Sequence, residues 1–146
     1  MPTAQDPSPH RRRLRKGAAA VEFAFVLPVL VTILIGATDF GRCYYSAIAV
    51  TNAARSGAAY ASMNSSTASS QSALLAGVTS AVTDELSQSS AIDTSKVTVT
   101  ISTTTEASGL TRTSVQVTYP FTTIVNWSYI PSSFNLTQAV VLRGIR

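Results

Sequence analysis

The sequence predicts an α+β protein: a long N-terminal helix, a second shorter helix and a small antiparallel β-sheet of about three strands. Three observations lead to this prediction. An apolar run of helical length, residues 18–38, lies near the N-terminus. Apolar residues then recur at helical spacing in residues 73–90. In the last fifty residues they alternate with Ser and Thr, as in strands buried on one face.

The first segment, residues 1–17, is a basic leader. It carries five positive charges within six positions and one acid, Asp6. These account for the formal net charge of +4, because the chain from Ala18 onward has six basic and six acidic residues. The body has no basic patch interleaved with aromatic residues, so nucleic-acid binding is not expected. The basic residues of the leader are Arg11, Arg12, Arg13, Arg15 and Lys16.

The second segment, residues 18–38, is predicted to be a transmembrane helix. Its length of about 31 Å is enough to cross the hydrocarbon core of a bilayer. The leader before it places the N-terminus in the cytoplasm and the C-terminus outside, by the positive-inside rule. A cleaved secretory signal and a buried helix of a soluble protein are alternatives. The run is long for a secretory signal, and the basic block before so apolar a run disfavours a buried helix. Pro28 predicts a kink.

The helix is expected to continue outside the membrane over residues 39–62. One face of this stem carries mostly small residues, including Ala47, Val50, Ala54 and Ala58. Small side chains let helix backbones approach closely. The face could therefore pack in a bundle of like helices or lie on the sheet of its own domain, and the sequence leaves both open.

Residues 63–146 are predicted to form a small exported α+β domain. Its helix covers residues 73–90, and strands around Val97–Ile101 and Val115–Phe121 form a hairpin with a turn at 106–110. Residues 136–143 provide a third strand. Pro120 indicates an edge position or the end of regular pairing. Aromatic residues gather in a loop at 124–134 and are expected to close one end of the core.

The composition excludes most chemistry. With one histidine, His10, and one cysteine, Cys43, the chain cannot form an internal disulfide, an ordinary zinc site or a Ser-His-Asp triad. We therefore expect no catalytic residues, no metal, no cofactor and no small-molecule substrate. About a quarter of the residues are Ser or Thr.

One charge, Glu22, lies inside the apolar run. An unpaired carboxylate at membrane depth costs several kcal/mol unless it reaches the interface or becomes protonated. The order of basic leader, Gly17, four residues, Glu22 and a long apolar helix resembles the class III signal of type IV pilins and pseudopilins. This resemblance implies that a prepilin peptidase cuts between Gly17 and Ala18. It also implies that Glu22 pairs with the new N-terminal amine of a neighbouring subunit.

Residues 17–42 and 51–61 together resemble the TadE/TadG family, the minor pseudopilins of tight-adherence (Flp-type) pilus machines. The resemblance implies a structural assembly protein of the bacterial inner membrane. Its implied partners are membrane lipid, the prepilin peptidase, other pilins or pseudopilins and the inner-membrane assembly platform. A mature chain that starts with Ala departs from the major type IV pilins, which start with Phe. The shared features are Gly17, Val21–Ala24, Pro28, Asp39 with Gly41 and Arg42, and the Ala-Ala-Arg-x-Gly-Ala segment at Ala53–Ala58.

Two other functions remain as alternatives. One is a pseudopilin of a type II secretion machine, although the body shows no clustering of calcium ligands. The other is an uncleaved single-pass anchor that carries a ligand-binding sensor domain. A leader of only about sixteen residues leaves little room for a cytoplasmic signalling domain.

Overall fold

A computed structural model describes residues 9–65, 70–107, 111–126 and 131–143, with side chains from residue 17 onward. The chain divides into two compact units, Met1–Thr38 and Asp39–Arg146. The elements are α1 (Pro9–Asn64), α2 (Gln71–Ser87), a short 3-10 helix (Thr94–Lys96), β1 (Thr98–Thr105), β2 (Thr111–Thr122) and β3 (Ser133–Arg143). This arrangement confirms the predicted α+β fold with two helices and three strands.

Between residues 18 and 38, α1 carries apolar side chains on all sides, and Glu22 is its one charge. Residues 17–38 are exposed except for half-buried Ile35. Thr32 and Thr38 donate their hydroxyl hydrogens to the carbonyls of Pro28 and Leu34, both at 2.8 Å, so each hydroxyl is satisfied within the helix. A helix that satisfies its own polar groups and shows an apolar surface all round is suited to lipid. Its length and composition are sufficient to cross a membrane.

The second unit is a three-stranded antiparallel sheet covered by helices. The strand order is β1-β2-β3, with Ile101 opposite Val115 and Val140 opposite the same residue on the other side. The core lies between β2 and the two helices. Its largest fully buried apolar side chains are Val50 of α1, Val78, Val82 and Leu86 of α2, and Val115 and Val117 of β2.

Helix α2 begins with a capping serine. The Ser70 hydroxyl accepts a hydrogen bond from the backbone N–H of Ala73 at 3.2 Å, which satisfies one of the free amides of the first turn. The helix buries Leu74, Val78, Val82 and Leu86, four of the residues whose spacing predicted it.

Pro120 lies in the central strand, so the edge position considered for it is wrong. Pairing of β2 with β1 ends at Thr118, opposite Thr98, whereas pairing with β3 continues through Pro120 opposite Asn135 to Thr122. Proline lacks the N–H that a second neighbouring strand would require. Pro120 therefore lies where β2 has only one neighbouring strand. This agrees with the other prediction for Pro120, that it marks the end of regular pairing.

Several predicted features fall outside the described residues. These are the side chains of the basic leader, part of the turn at 106–110, and residues 127–130 of the aromatic loop.

Candidate functional site

The predicted cleavage and assembly residues lie on the exposed surface of α1 in the first unit. Gly17, Ala18 and Glu22 are all exposed. Apart from the adjacent residues and the backbone of the same helix, no atom of the described part of the chain lies within 4 Å of the position that a Cβ at Gly17 would occupy. Ala18 and Glu22 are four residues apart, so they share one side of the helix about 6 Å apart along its axis. A parallel neighbour shifted by about one turn would bring the backbone nitrogen of its Ala18 level with this carboxylate.

The residues predicted to pack the helix lie in two surroundings. Pro28 stays inside α1 in the exposed apolar segment. Ala47 is half-buried, whereas Val50, Ala54 and Ala58 are completely buried in the core of the second unit. The sequence left open whether this face packs in a bundle of like helices or on the sheet of its own domain. These three residues pack within their own domain.

The second unit contains a contact that begins at its first residue, Asp39. The Asp39 side chain is only 10% exposed. The backbone N–H of Ile124, in the loop after β2, donates to Oδ1 and Oδ2, both at 3.0 Å. Nη1 of Arg42, one turn along α1, donates to Oδ1 at 2.9 Å. A charged acceptor makes stronger hydrogen bonds than a neutral one, so this group holds α1 against the loop.

Arg42 extends the contact to the sheet. Its guanidinium carbon lies 5.3 Å from the centroid of the Phe121 ring on β2, within the range of a cation–π interaction. Phe121 in turn lies 5.4 Å from Phe134 of β3, with the rings tilted by 48°. Through these pairs Asp39 and Arg42 connect α1 with the same end of two strands.

A second close contact between α1 and the rest of this unit lies at Gly57. A Cβ at this position would lie 2.7 Å from Cγ2 of Val82, 3.2 Å from Cγ1 of Val78 and 3.3 Å from Cγ1 of Val115. The helix backbone therefore approaches α2 and β2 more closely than any side chain would allow. The neighbouring alanines share this role, since Ala53, Ala54, Ala58 and Ala61 are fully buried.

The two contacts define how β2 runs along α1. On the helix, Asp39 and Gly57 are eighteen residues apart, or about 27 Å. On the strand side, their partners Ile124 and Val115 are nine residues apart, or about 30 Å of extended chain. The similar lengths and the reversed order show that β2 runs antiparallel beside this part of the helix.

Asp39, Arg42 and Gly57 belong to the segments that resemble the TadE/TadG family, but their contacts with the loop and the sheet were not predicted. An acid and an arginine three residues apart on a helix do predict the ion pair. No local signal could have identified Ile124, which lies 85 residues away. Among the residues that the structure describes, no group of three or more His, Cys, Asp or Glu side chains could hold a metal ion.

Comparison with known protein families confirms the resemblance for the N-terminal part. Residues 17–59 match the family described as TadE-like protein. The matched segment is under a third of the chain and includes Glu22, Asp39, Arg42 and Gly57. It links this chain to the tight-adherence pilus systems, of which that family is a component, and its apolar helix suits a membrane anchor. No curated protein and no solved structure matches the chain.

Proposed function

From the TadE-like match over residues 17–59, we propose that this chain is a minor pseudopilin of a tight-adherence pilus. It is held in the bacterial inner membrane by α1, with its N-terminus in the cytoplasm, until it joins the pilus or the complex that initiates it. It is a structural protein rather than an enzyme. The observation that carries the proposal is the spacing of Gly17 and Glu22 at the start of a helix whose apolar surface is uncovered.

Processing by a prepilin peptidase would create a positive charge that can pair with the Glu22 carboxylate. Cleavage between Gly17 and Ala18 removes the five clustered basic residues of the leader and leaves a free α-amine on Ala18. The amine and the Glu22 carboxylate are opposite charges in a medium where an unpaired charge costs several kcal/mol. Two parallel helices that pair them are stabilised in one register, so the pair promotes assembly with other pilins or pseudopilins.

The proposal predicts that Glu22 is needed for assembly but not for membrane insertion. The gene is deleted in its host, and the strain is complemented with wild type, Glu22→Leu or Phe23→Leu. Phe23 is an exposed neighbour on another side of the same helix, so its variant is a matched control for changes in the apolar segment. Membrane-fraction protein and assembled pili are then quantified in parallel.

We expect all three proteins to reach the membrane in equal amounts. Wild type and Phe23→Leu should restore pili, whereas Glu22→Leu should give few or none. Full piliation with Glu22→Leu would contradict the assembly role of this carboxylate. Normal piliation in the deletion strain itself would contradict the proposed function as a whole.

A further inference from the structure

Four large apolar side chains are exposed at the end of the second unit where Asp39 lies. Ile124 is brought there by the two hydrogen bonds from its N–H to the Asp39 carboxylate. The other three follow Asp39 within six residues of α1. The exposed fractions are 74% for Phe40, 63% for Tyr44, 52% for Tyr45 and 58% for Ile124.

These side chains surround the helix rather than forming one face. Each residue of an α-helix advances by about 100° around the axis. Taking Asp39, with Ile124 beside it, as the origin, Phe40 lies at about 100° and Tyr45 at about 240°. The three directions divide the circumference into roughly equal parts. A partner protein that docks on one side of the helix would contact one or two of them and leave the others in water.

The distance of the three side chains on α1 from the end of the apolar run follows from the sequence. The apolar run ends at residue 38, and residues 40–45 lie about 3–10 Å farther along the helix. The interfacial layer of a bilayer occupies roughly this thickness, about 5–8 Å on each side of the hydrocarbon core. Tyrosine is enriched in that layer because its ring is apolar and its hydroxyl remains in contact with water.

We propose that Phe40, Tyr44, Tyr45 and Ile124 form an interfacial belt that binds the lipid headgroup region. The inference rests on the membrane anchoring that is part of the proposed function. It adds that the loop after β2 contacts the bilayer surface, through Ile124 held by Asp39. The occupant of this surface is lipid, not a second copy of the chain.

The test measures the depth of single labels in the full-length protein. Cys43→Ser removes the native thiol, and a cysteine carrying a fluorophore is placed at Ile124, Tyr45, Thr104 or Val31. Thr104 is an exposed control at the far end of the sheet: it pairs with Arg112, ten residues or about 33 Å along β2 from Thr122. Val31 reports insertion of the apolar helix.

Each variant is placed at one copy per nanodisc of phosphatidylethanolamine and phosphatidylglycerol. Quenching is compared between lipids that carry a spin label on the headgroup and lipids that carry it deep in the acyl chain. We expect the headgroup label to quench Ile124 and Tyr45 several-fold more than Thr104. The acyl-chain label should quench Val31 most strongly.

The outcomes separate the belt from the anchor. Quenching at Ile124 and Tyr45 as weak as at Thr104, with Val31 still quenched, would overturn the belt and leave the anchor intact. Weak quenching at Val31 would remove the anchor and the proposed function with it. In a second set of discs that each hold two copies, labels at Ile124 and Tyr45 that respond only there would show that the surface binds protein, which also overturns the belt. Quenching at one of these two positions alone would contradict a ring around the helix.

Discussion

The backbone N–H of Ile124 donates to both oxygens of the Asp39 carboxylate at 3.0 Å, across 85 residues of sequence. Asp39 is the first residue after the apolar run, and Ile124 follows the central strand of the sheet. The contact therefore fixes one end of the sheet to the first residue of the second unit. Arg42 supplies a further hydrogen bond to the same carboxylate, at 2.9 Å.

Removal of the Asp39 carboxylate should loosen the loop after β2. In Asp39→Ala the Ile124 amide loses its acceptor, and a polar group left unsatisfied in a partly buried site costs about 1–3 kcal/mol. About 1.4 kcal/mol corresponds to tenfold in an equilibrium constant. We therefore expect hydrogen exchange of the Ile124 amide to be faster by roughly tenfold or more. The measurement is amide exchange of the full chain in detergent micelles.

Asp84→Ala is the matched control for this experiment, since it removes an exposed carboxylate from α2. It should leave exchange at Ile124 unchanged. Equal exchange rates in wild type and Asp39→Ala would show that the hydrogen bonds contribute nothing to the stability of the loop.

Arg42→Ala should be less harmful than Asp39→Ala. The Arg42 side chain is 45% exposed, so its ion pair with Asp39 is worth little. Its contact with Phe121 adds about 0.5–1 kcal/mol at an exposed site. We expect a total loss of about 1 kcal/mol or less in the free energy of unfolding, measured by urea denaturation. A loss larger than that of Asp39→Ala would reverse the order of importance proposed for this pair.

Gly57→Ala should destabilise the second unit, whereas Gly77→Ala should not. The added methyl at Gly57 meets Val82, Val78 and Val115, which are completely buried and cannot move aside. Overpacking of this kind costs about 1–3 kcal/mol, partly offset by the better helix propensity of alanine, about 1 kcal/mol. At Gly77 the three atoms nearest to the added methyl all belong to the outer part of the Tyr60 ring, and Tyr60 is 38% exposed and can swing into solvent.

Urea denaturation of the two glycine variants tests this difference. Gly41→Ala is the control, because a Cβ there meets nothing within 4 Å. We expect Gly41→Ala and Gly77→Ala to equal or exceed the wild type in free energy of unfolding, and Gly57→Ala to fall below it. A Gly57→Ala protein as stable as Gly41→Ala would contradict the close packing of α1 at this position.

Thr113→Val should stabilise the sheet. Thr113 is fully buried on β2, and its Oγ1 has no hydrogen-bond partner among the described residues. Valine has nearly the same shape and removes the buried hydroxyl, so we expect a gain of about 1 kcal/mol in the free energy of unfolding. The same substitution at exposed Thr104 should change it by less than about 0.5 kcal/mol. A stability loss in Thr113→Val would show that its hydroxyl is satisfied.

The sequence was sufficient to predict the elements of the fold because their periodicities are strong and local. The spacing of Leu74, Val78, Val82 and Leu86 predicts α2, and the alternation around Val115 predicts β2. The sequence did not decide what covers the small-residue face of α1, since a bundle and an internal sheet both accept alanine. It also left Pro120 ambiguous, because local sequence does not reveal how far the strand on each side extends.

The candidate assembly residues could be proposed from the sequence for a different reason. Gly17 and Glu22 are proposed to act through their spacing on one helix, which is visible in the sequence. Asp39 and Gly57 act through residues far along the chain, so their role required the folded structure. The close approach at Gly57 depends on Val82 and Val115, which come from two other elements.

Processing at Gly17–Ala18 is tested by the N-terminal residue and intact mass of the membrane-extracted protein, with and without the host's prepilin peptidase. We expect a chain that starts at Ala18 when the peptidase is present and one that retains the basic leader when it is absent. A retained leader in both strains would contradict processing as a pseudopilin. It would leave α1 as an uncleaved anchor, without the free amine that Glu22 is proposed to bind.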